Sequence, residues 1–160
     1  MLPGQHRRTA RVLITNENGQ ILLFLTHFDP EIGLPPRWIT AGGGIDEGET
    51  ELEAALRELQ EETGIKAQPE DLVGPIWRTE GRWDWADGQN HHTFEDVIFE
   101  LKDPSKFDLQ IHTDAWTDDE RRDILEFRWW NIDELIDTGE SVSPPGLAEF
   151  VKHHRQDGIP

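Results

Sequence analysis

Apolar and polar positions along the chain change period in a way that predicts its elements. Thr9 to Thr15 carries a β-type run, Asn16-Glu17-Asn18-Gly19-Gln20 supplies turn residues, and Ile21 to Thr26 resumes the run, which predicts a hairpin. Prolines 30, 35 and 36 bar regular structure between Asp29 and Arg37, before a short strand at Trp38-Ile39 and the run Gly42-Gly43-Gly44. The period then becomes helical. Leu52, Leu56 and Leu59 form one stripe, Thr50 with Glu53 makes a capping box ahead of it, and Gly64 terminates it. Two longer β-type stretches, Val73 to Trp85 and His91 to Leu101, flank Asp87-Gly88-Gln89-Asn90 and predict a second hairpin. A polar loop from Lys102 to Arg122 follows, then a strand near Phe127 to Ile132, a short helix from Asp133 and a last helix after Pro144-Pro145. The order β-β-β-α-β-β-β-α predicts an α/β domain with a mixed sheet flanked by helices, one domain over 1–160 with about the first eight residues as a flexible tail.

Composition narrows the partners. The 160 residues carry 33 acidic against 15 basic side chains, a formal charge of −18. Such a surface repels polymeric nucleic acid and anionic membrane, which bind through Lys and Arg, so neither is expected as a partner. The longest strongly apolar run, Ile21 to Leu25, falls far short of the roughly 20 residues of a membrane span, and the first eleven residues lack a signal-peptide core; a cytoplasmic location is expected. With no cysteine, thiolate chemistry is excluded, and any metal must be held by oxygen or imidazole. Seven Trp and seven Phe provide a core despite the charge.

Glu58, Glu61 and Glu62 stand at i, i+3 and i+4 of the predicted central helix, on one face roughly opposite the leucine stripe. Like charges at that spacing repel by roughly 0.2–0.5 kcal/mol per pair, a cost that a hard cation reverses. Magnesium suits an open carboxylate cluster, because it takes oxygen ligands and keeps waters and substrate phosphates in its shell. The triple glycine upstream allows close backbone approach to a diphosphate. Gly43, five residues, Glu49, seven residues, Arg57-Glu58-Leu59, one residue, Glu61-Glu62, one residue and Gly64-Ile65 together resemble the Nudix box without a departure. Chance would produce that match on the order of once in a million such chains. The resemblance implies an α/β/α sandwich that hydrolyses the diphosphate linkage of a nucleoside diphosphate joined to a further group, with Mg2+ or Mn2+. It further implies Glu58, Glu61 and Glu62 as metal ligands, the Gly42 carbonyl as a backbone ligand, and Glu49 with Arg57 as the pair that holds loop to helix. Thr40-Ala41 stand where many relatives have Pro-Gly, so the loop entry differs.

The resemblance leaves the general base open. Glu95 alternates onto the face of Val97, Phe99 and Leu101, where a carboxylate needs a partner, and is one candidate; Asp96 points the other way. Glu120, in the polar loop, is the other. Trp83 and Trp85 are candidates to stack on a nucleobase, and Arg78 and Arg82 to meet substrate phosphates, with packing and surface ion pairing as the competing explanations. His91-His92 and His153-His154 are adjacent pairs whose side chains diverge, and make poor metal sites. The expected substrate is therefore a small nucleotide-type diphosphate: a nucleoside triphosphate, nucleotide sugar, ADP-ribose-type compound or dinucleotide. A non-catalytic nucleotide-sensing or scaffold module is the alternative, and self-association into a homodimer is left open.

Overall fold

The computed structural model describes residues 1–157. Eight strands and four helices follow in the order β1 (His6–Leu13), β2 (Ile21–Thr26), β3 (Arg37–Ile39), β4 (Ala41–Gly44), α1 (Glu51–Thr63), β5 (Leu72–Asp84), β6 (His91–Leu101), α2 (Asp118–Asp123), β7 (Ile124–Trp130), α3 (Ile132–Asp137), β8 (Ser141–Ser143) and α4 (Leu147–Asp157). The strands form two four-stranded sheets, β4-β1-β6-β5 and β7-β2-β3-β8. Each is mixed: β1 with β6 and β3 with β8 are parallel, and the remaining pairs antiparallel. Two cores result. Even positions of β1 (Ala10, Val12) pack with Val97, Phe99 and Leu59 under α1, while Leu13 and Ile98 on the opposite face join Trp38, Trp130, Leu135 and Leu147 under α3 and α4. Helices thus cover both sides of the strands, as expected for an α/β sandwich.

The second hairpin and the central helix form where the sequence pattern puts them, β5 pairing antiparallel with β6. The first hairpin does not. β1 and β2 belong to different sheets; their side chains share both cores, but the ladder between them is limited to a Thr15–Ile21 bridge next to the turn, with the Leu22 amide bonded to the Ile14 carbonyl at 3.2 Å. The turn itself is sound, since the Asn16 side chain accepts from the amides of Asn18 and Gln20. The strands part because each finds better-buried neighbours elsewhere, β1 in β6 and β2 in β7. β1 also starts earlier than Thr9. From His6 onward it pairs with β6, and the Met1 ammonium lies 2.9 Å from both Asp29 and Glu31, so residues 6–8 are strand rather than tail. Gly42-Gly43-Gly44 is part of a strand, β4, and the polar 102–122 loop contains the start of α2, capped by Thr117 and Glu120. Among the described residues no helix is long and apolar enough to cross a membrane.

Candidate active site

α1 carries core on one side and chemistry on the other. Its capping box is complete: the Thr50 hydroxyl accepts from the Glu53 amide at 3.1 Å and the Glu53 carboxylate from the Thr50 amide at 3.4 Å, a cap worth about 1 kcal/mol. Gly64 ends the helix at φ 83°, and a Cβ there would stand 2.8 Å from His112. Ala54, Ala55 and Leu59 are fully buried, with Leu52 and Leu56 half-buried against the same core. The opposite face was expected to be open, yet Glu58 and Glu62 are only 8% and 5% exposed. The cause is β4. Its glycines lie over the helix so closely that a Cβ on Gly43 would come within 2.6 Å of the Glu58 Oε1, and the Gly42 amide donates to Glu62 Oε2 at 3.0 Å. The glycines let backbone approach the helix's own carboxylates.

Arg57 ties this arrangement together. Its Nε and Nη2 grip the two Glu49 oxygens at 2.7 and 2.9 Å, Nη2 also donates to the Gly44 carbonyl at 2.9 Å, and Nη1 reaches Glu58 at 2.9 Å and Glu61 at 3.4 Å. A bidentate fork of this kind is directional and holds the loop before α1 to the helix. Hydrogen bonding to Arg57 lowers the Glu49 pKa below the ordinary glutamate value.

The three helix acids move the other way. Burial raises the pKa of Glu58 and of Glu61, with Arg57 opposing and neighbouring carboxylates adding to the rise. Glu62 rises well above the ordinary value, through burial first and the charge of Glu58 second. Glu120 completes the group from α2: oxygens of Glu58, Glu61 and Glu120 lie within 4.8 Å of one another. One Glu120 oxygen accepts from the Thr117 amide at 2.8 Å in the α2 capping box. Trp116 anchors the segment, donating from its indole to the Glu62 carbonyl at 2.8 Å and packing edge-on against Phe24. Hard oxygen donors crowded this tightly, with Arg57 the only cation bonded to Glu58 and Glu61 among the described residues, suit a divalent cation.

These acids line one end of a cleft of about 610 Å³. The other candidates lie outside it. Glu95 does share the face of Val97 and Phe99, but it sits mid-strand in β6 outside the cleft lining, facing Arg8 at 3.7 Å and His6 at 3.9 Å. Arg78 is engaged with Glu51 at 2.6 and 2.8 Å, and Arg82 with Asp84 at 2.7 Å. Trp85 is 5% exposed, packed with Phe28 and Ile32, and gives its indole N–H to His92 Nδ1 at 2.8 Å. Trp83 packs edge-on against Phe28, with ring centroids 5.3 Å apart. Both indoles serve a small third core, so neither presents a free face to the cleft.

The wall facing the acids is formed by residues absent from the sequence reading. Arg7, Arg11 and Arg37 line it. Arg11 donates to the Thr40 carbonyl at 2.9 Å and to the Thr9 hydroxyl at 3.1 Å, and lies 3.7 Å from Asp96. Asp96 is itself buried and accepts from the Thr9 hydroxyl. Arg37 donates to the carbonyls of His27 and Thr26 at 2.9 and 3.4 Å and stacks 3.8 Å above the Phe28 ring, but its buried Nε has no partner. Burial, with Arg11 and Arg7 adding to it, lowers the Arg37 pKa to about 9. A signal existed: Arg7, Thr9 and Arg11 alternate along one face of β1, a polar stripe that runs into the buried half of the strand.

Comparisons with known proteins agree with this geometry. The NUDIX domain family model matches residues 5–150. An RNA pyrophosphohydrolase from Bartonella quintana is 43% identical over 92% of this chain and 84% of its own, and one from Erythrobacter litoralis is 34% identical over 82% and 79%. Among solved structures, a MutT protein from Methanosarcina mazei superposes with a TM-score of 0.63 at 18% identity over 99% of this chain and 100% of its own. The dihydroneopterin triphosphate pyrophosphohydrolase of E. coli gives 0.61 at 19% over 96% and 99%. At such identities the solved structures show a shared fold.

Proposed function

Because the chain belongs to the Nudix family of pyrophosphohydrolases, we propose that it hydrolyses the diphosphate linkage of a nucleotide-type substrate with Mg2+, or Mn2+ in its place, held by Glu58, Glu61, Glu62 and the Gly42 carbonyl. The observation that carries this reading is the convergence of Glu58 and Glu61 with Glu120 at one end of the cleft, which Glu62 also lines. Divalent cations there supply charge neutralisation on the phosphoryl oxygens and a water of lowered pKa. The chain's own residues do the placing. Glu49 and Arg57 hold the β4–α1 loop, the β4 glycines keep Glu58 and Glu62 from turning away, and Glu120 is positioned as the base that takes the water's proton, in preference to the remote Glu95.

The relatives named RNA pyrophosphohydrolases bring RNA into consideration as a substrate, against the expectation drawn from net charge. A short 5′-triphosphorylated oligonucleotide reconciles the two, since it needs no basic tract along a polymer. The test is a magnesium-dependent screen of nucleoside triphosphates, nucleotide sugars, dinucleotides and such oligonucleotides, with products resolved by chromatography. Glu62→Gln should lower turnover by roughly 100-fold or more. Unchanged turnover in that variant would overturn the role given to Glu62, whereas tight binding of one compound with no turnover of any in Mg2+ or Mn2+ would favour a sensing module instead.

A further inference from the structure

The arginine wall of the cleft is expensive as it stands. In a protein of charge −18, Arg7, Arg11 and Arg37 face one cavity. Among the described residues, only Arg11 has a carboxylate within ion-pair distance. Arg7 has no hydrogen-bond or ion-pair partner there, and the Arg37 Nε is buried and unpaired. Buried like charges repel, and an orphaned buried N–H is costly. Burial, with Arg7 and Arg37 adding to it, lowers the pKa of His92, which lines the same cleft. Asp29 also lines the cleft, but it is paired with the Met1 ammonium. The feature that resolves all of this is an anion with several acceptor oxygens, which guanidinium forks bind well.

Its position sets what that anion belongs to. Arg11 lies against Gly42, where a Cβ would come within 2.6 Å of the Arg11 Cγ, and Gly42 bonds Glu62. The basic wall therefore begins where the acid cluster ends. From Arg11 to Arg7 it continues along four residues of strand, roughly 13 Å of backbone, which is more wall than the phosphates at the acid end occupy.

We propose that Arg7, Arg11 and Arg37 form a second anion subsite, which takes a phosphate that the substrate carries beyond its scissile diphosphate. The proposal rests on the assignment of hydrolysis to the acid end. The favoured substrate is then a nucleotide with two separated anionic centres: a nucleoside triphosphate with a 3′-phosphomonoester, or a 5′-triphosphorylated dinucleotide with its internucleotide phosphodiester.

Two measurements test it. In the first, kcat/KM is compared among ATP, ATP bearing a 3′-phosphate, and 5′-triphosphorylated diadenylate. At least one of the latter two should exceed ATP by roughly tenfold or more, the weight of one charge-assisted pair. That ratio should collapse toward one in Arg7→Gln and in Arg37→Gln while Arg82→Gln, outside the cleft, keeps it. A ratio is immune to partial misfolding, which lowers both rates together, and partly buried Arg7 tolerates change better than buried Arg37. Equal kcat/KM for all three substrates, or a ratio that survives both substitutions, overturns the subsite. The second measurement is calorimetric binding of adenosine 3′,5′-bisphosphate and adenosine 5′-monophosphate with a chelator present, where no hydrolysis is needed. Tighter binding of the bisphosphate, lost in Arg7→Gln, upholds the subsite even if no compound is cleaved, an outcome that would sink the hydrolase assignment alone. Equal affinities overturn the subsite even if hydrolysis is robust.

Discussion

The two ends of the cleft are built in opposite ways. At the acid end, three like charges come from a single helix within five residues, and one arginine, Arg57, braces them through bonds to Glu49, Glu58 and Glu61. At the basic end, three like charges come from two strands in different sheets, braced by backbone carbonyls, one hydroxyl and the buried Asp96. Each end concentrates one sign of charge beyond what its own partners balance, and each therefore favours a ligand of the other sign. The pairing suits a molecule that brings cations to one end and anions to the other, as a metal-bound polyphosphate does.

Substitutions can separate the two ends. Beyond Glu62→Gln, the largest effect is expected from Gly43→Ala, whose new methyl displaces the Glu58 carboxylate; turnover should fall roughly 10- to 100-fold with an unchanged circular dichroism spectrum. Gly44→Ala, where a Cβ meets nothing within 4 Å, should cost far less, and equal losses would discredit the packing explanation. Asp96→Asn leaves buried Arg11 without the one carboxylate that pairs with it among the described residues and should destabilise by about 2 kcal/mol in urea unfolding.

A smaller effect concerns pH. The raised pKa values of Glu58, Glu61 and Glu62 mean that the folded protein holds more protons than the unfolded chain once pH exceeds the ordinary glutamate value of 4.5. Their contribution is present below that value and lost as pH rises through the raised pKa values. With chelator, the melting temperature should thus fall across that window, and the fall should shrink in Glu62→Gln. Glu49, with its lowered pKa, loses its contribution only as pH drops below the window. Smallest of all, Glu95→Gln should change turnover less than twofold, roughly the scale of an exposed ion pair; a large loss would return the base assignment to β6.

The contrast also explains what the sequence revealed. The acid end rests on helical periodicity and a local cap, so Glu58, Glu61 and Glu62 are legible from spacing, and Glu49 and Arg57 from the resemblance to the Nudix box, all within 14 residues. Glu120 was identified as a candidate, though the cap that presents it was passed over as loop. The basic end depends on which strand pairs with which. Arg11 opposes Gly42 through the β1–β4 register and Arg37 arrives from the other sheet, long-range facts that alternation alone does not encode. The mistaken β1–β2 hairpin has the same origin, because a good turn at Asn16 says nothing about where the strands go next. Trp83 and Trp85 are left open between packing and stacking by the sequence for a different reason: a Trp that closes a satellite core and one that stacks on a base have the same pattern.

The split of the four acids between α1 and α2 has a consequence for timing. α1 contributes six buried residues to the fold, whereas α2 is six residues long and buries none, held by Trp116 and its own cap. Amide hydrogens in the middle of α1 should exchange only when the whole domain unfolds, and those of α2 through frequent local openings. Each such opening withdraws one carboxylate from the group of four and leaves three in place. The cleft can therefore disassemble from one side and reset, many times, within the lifetime of a single folded molecule.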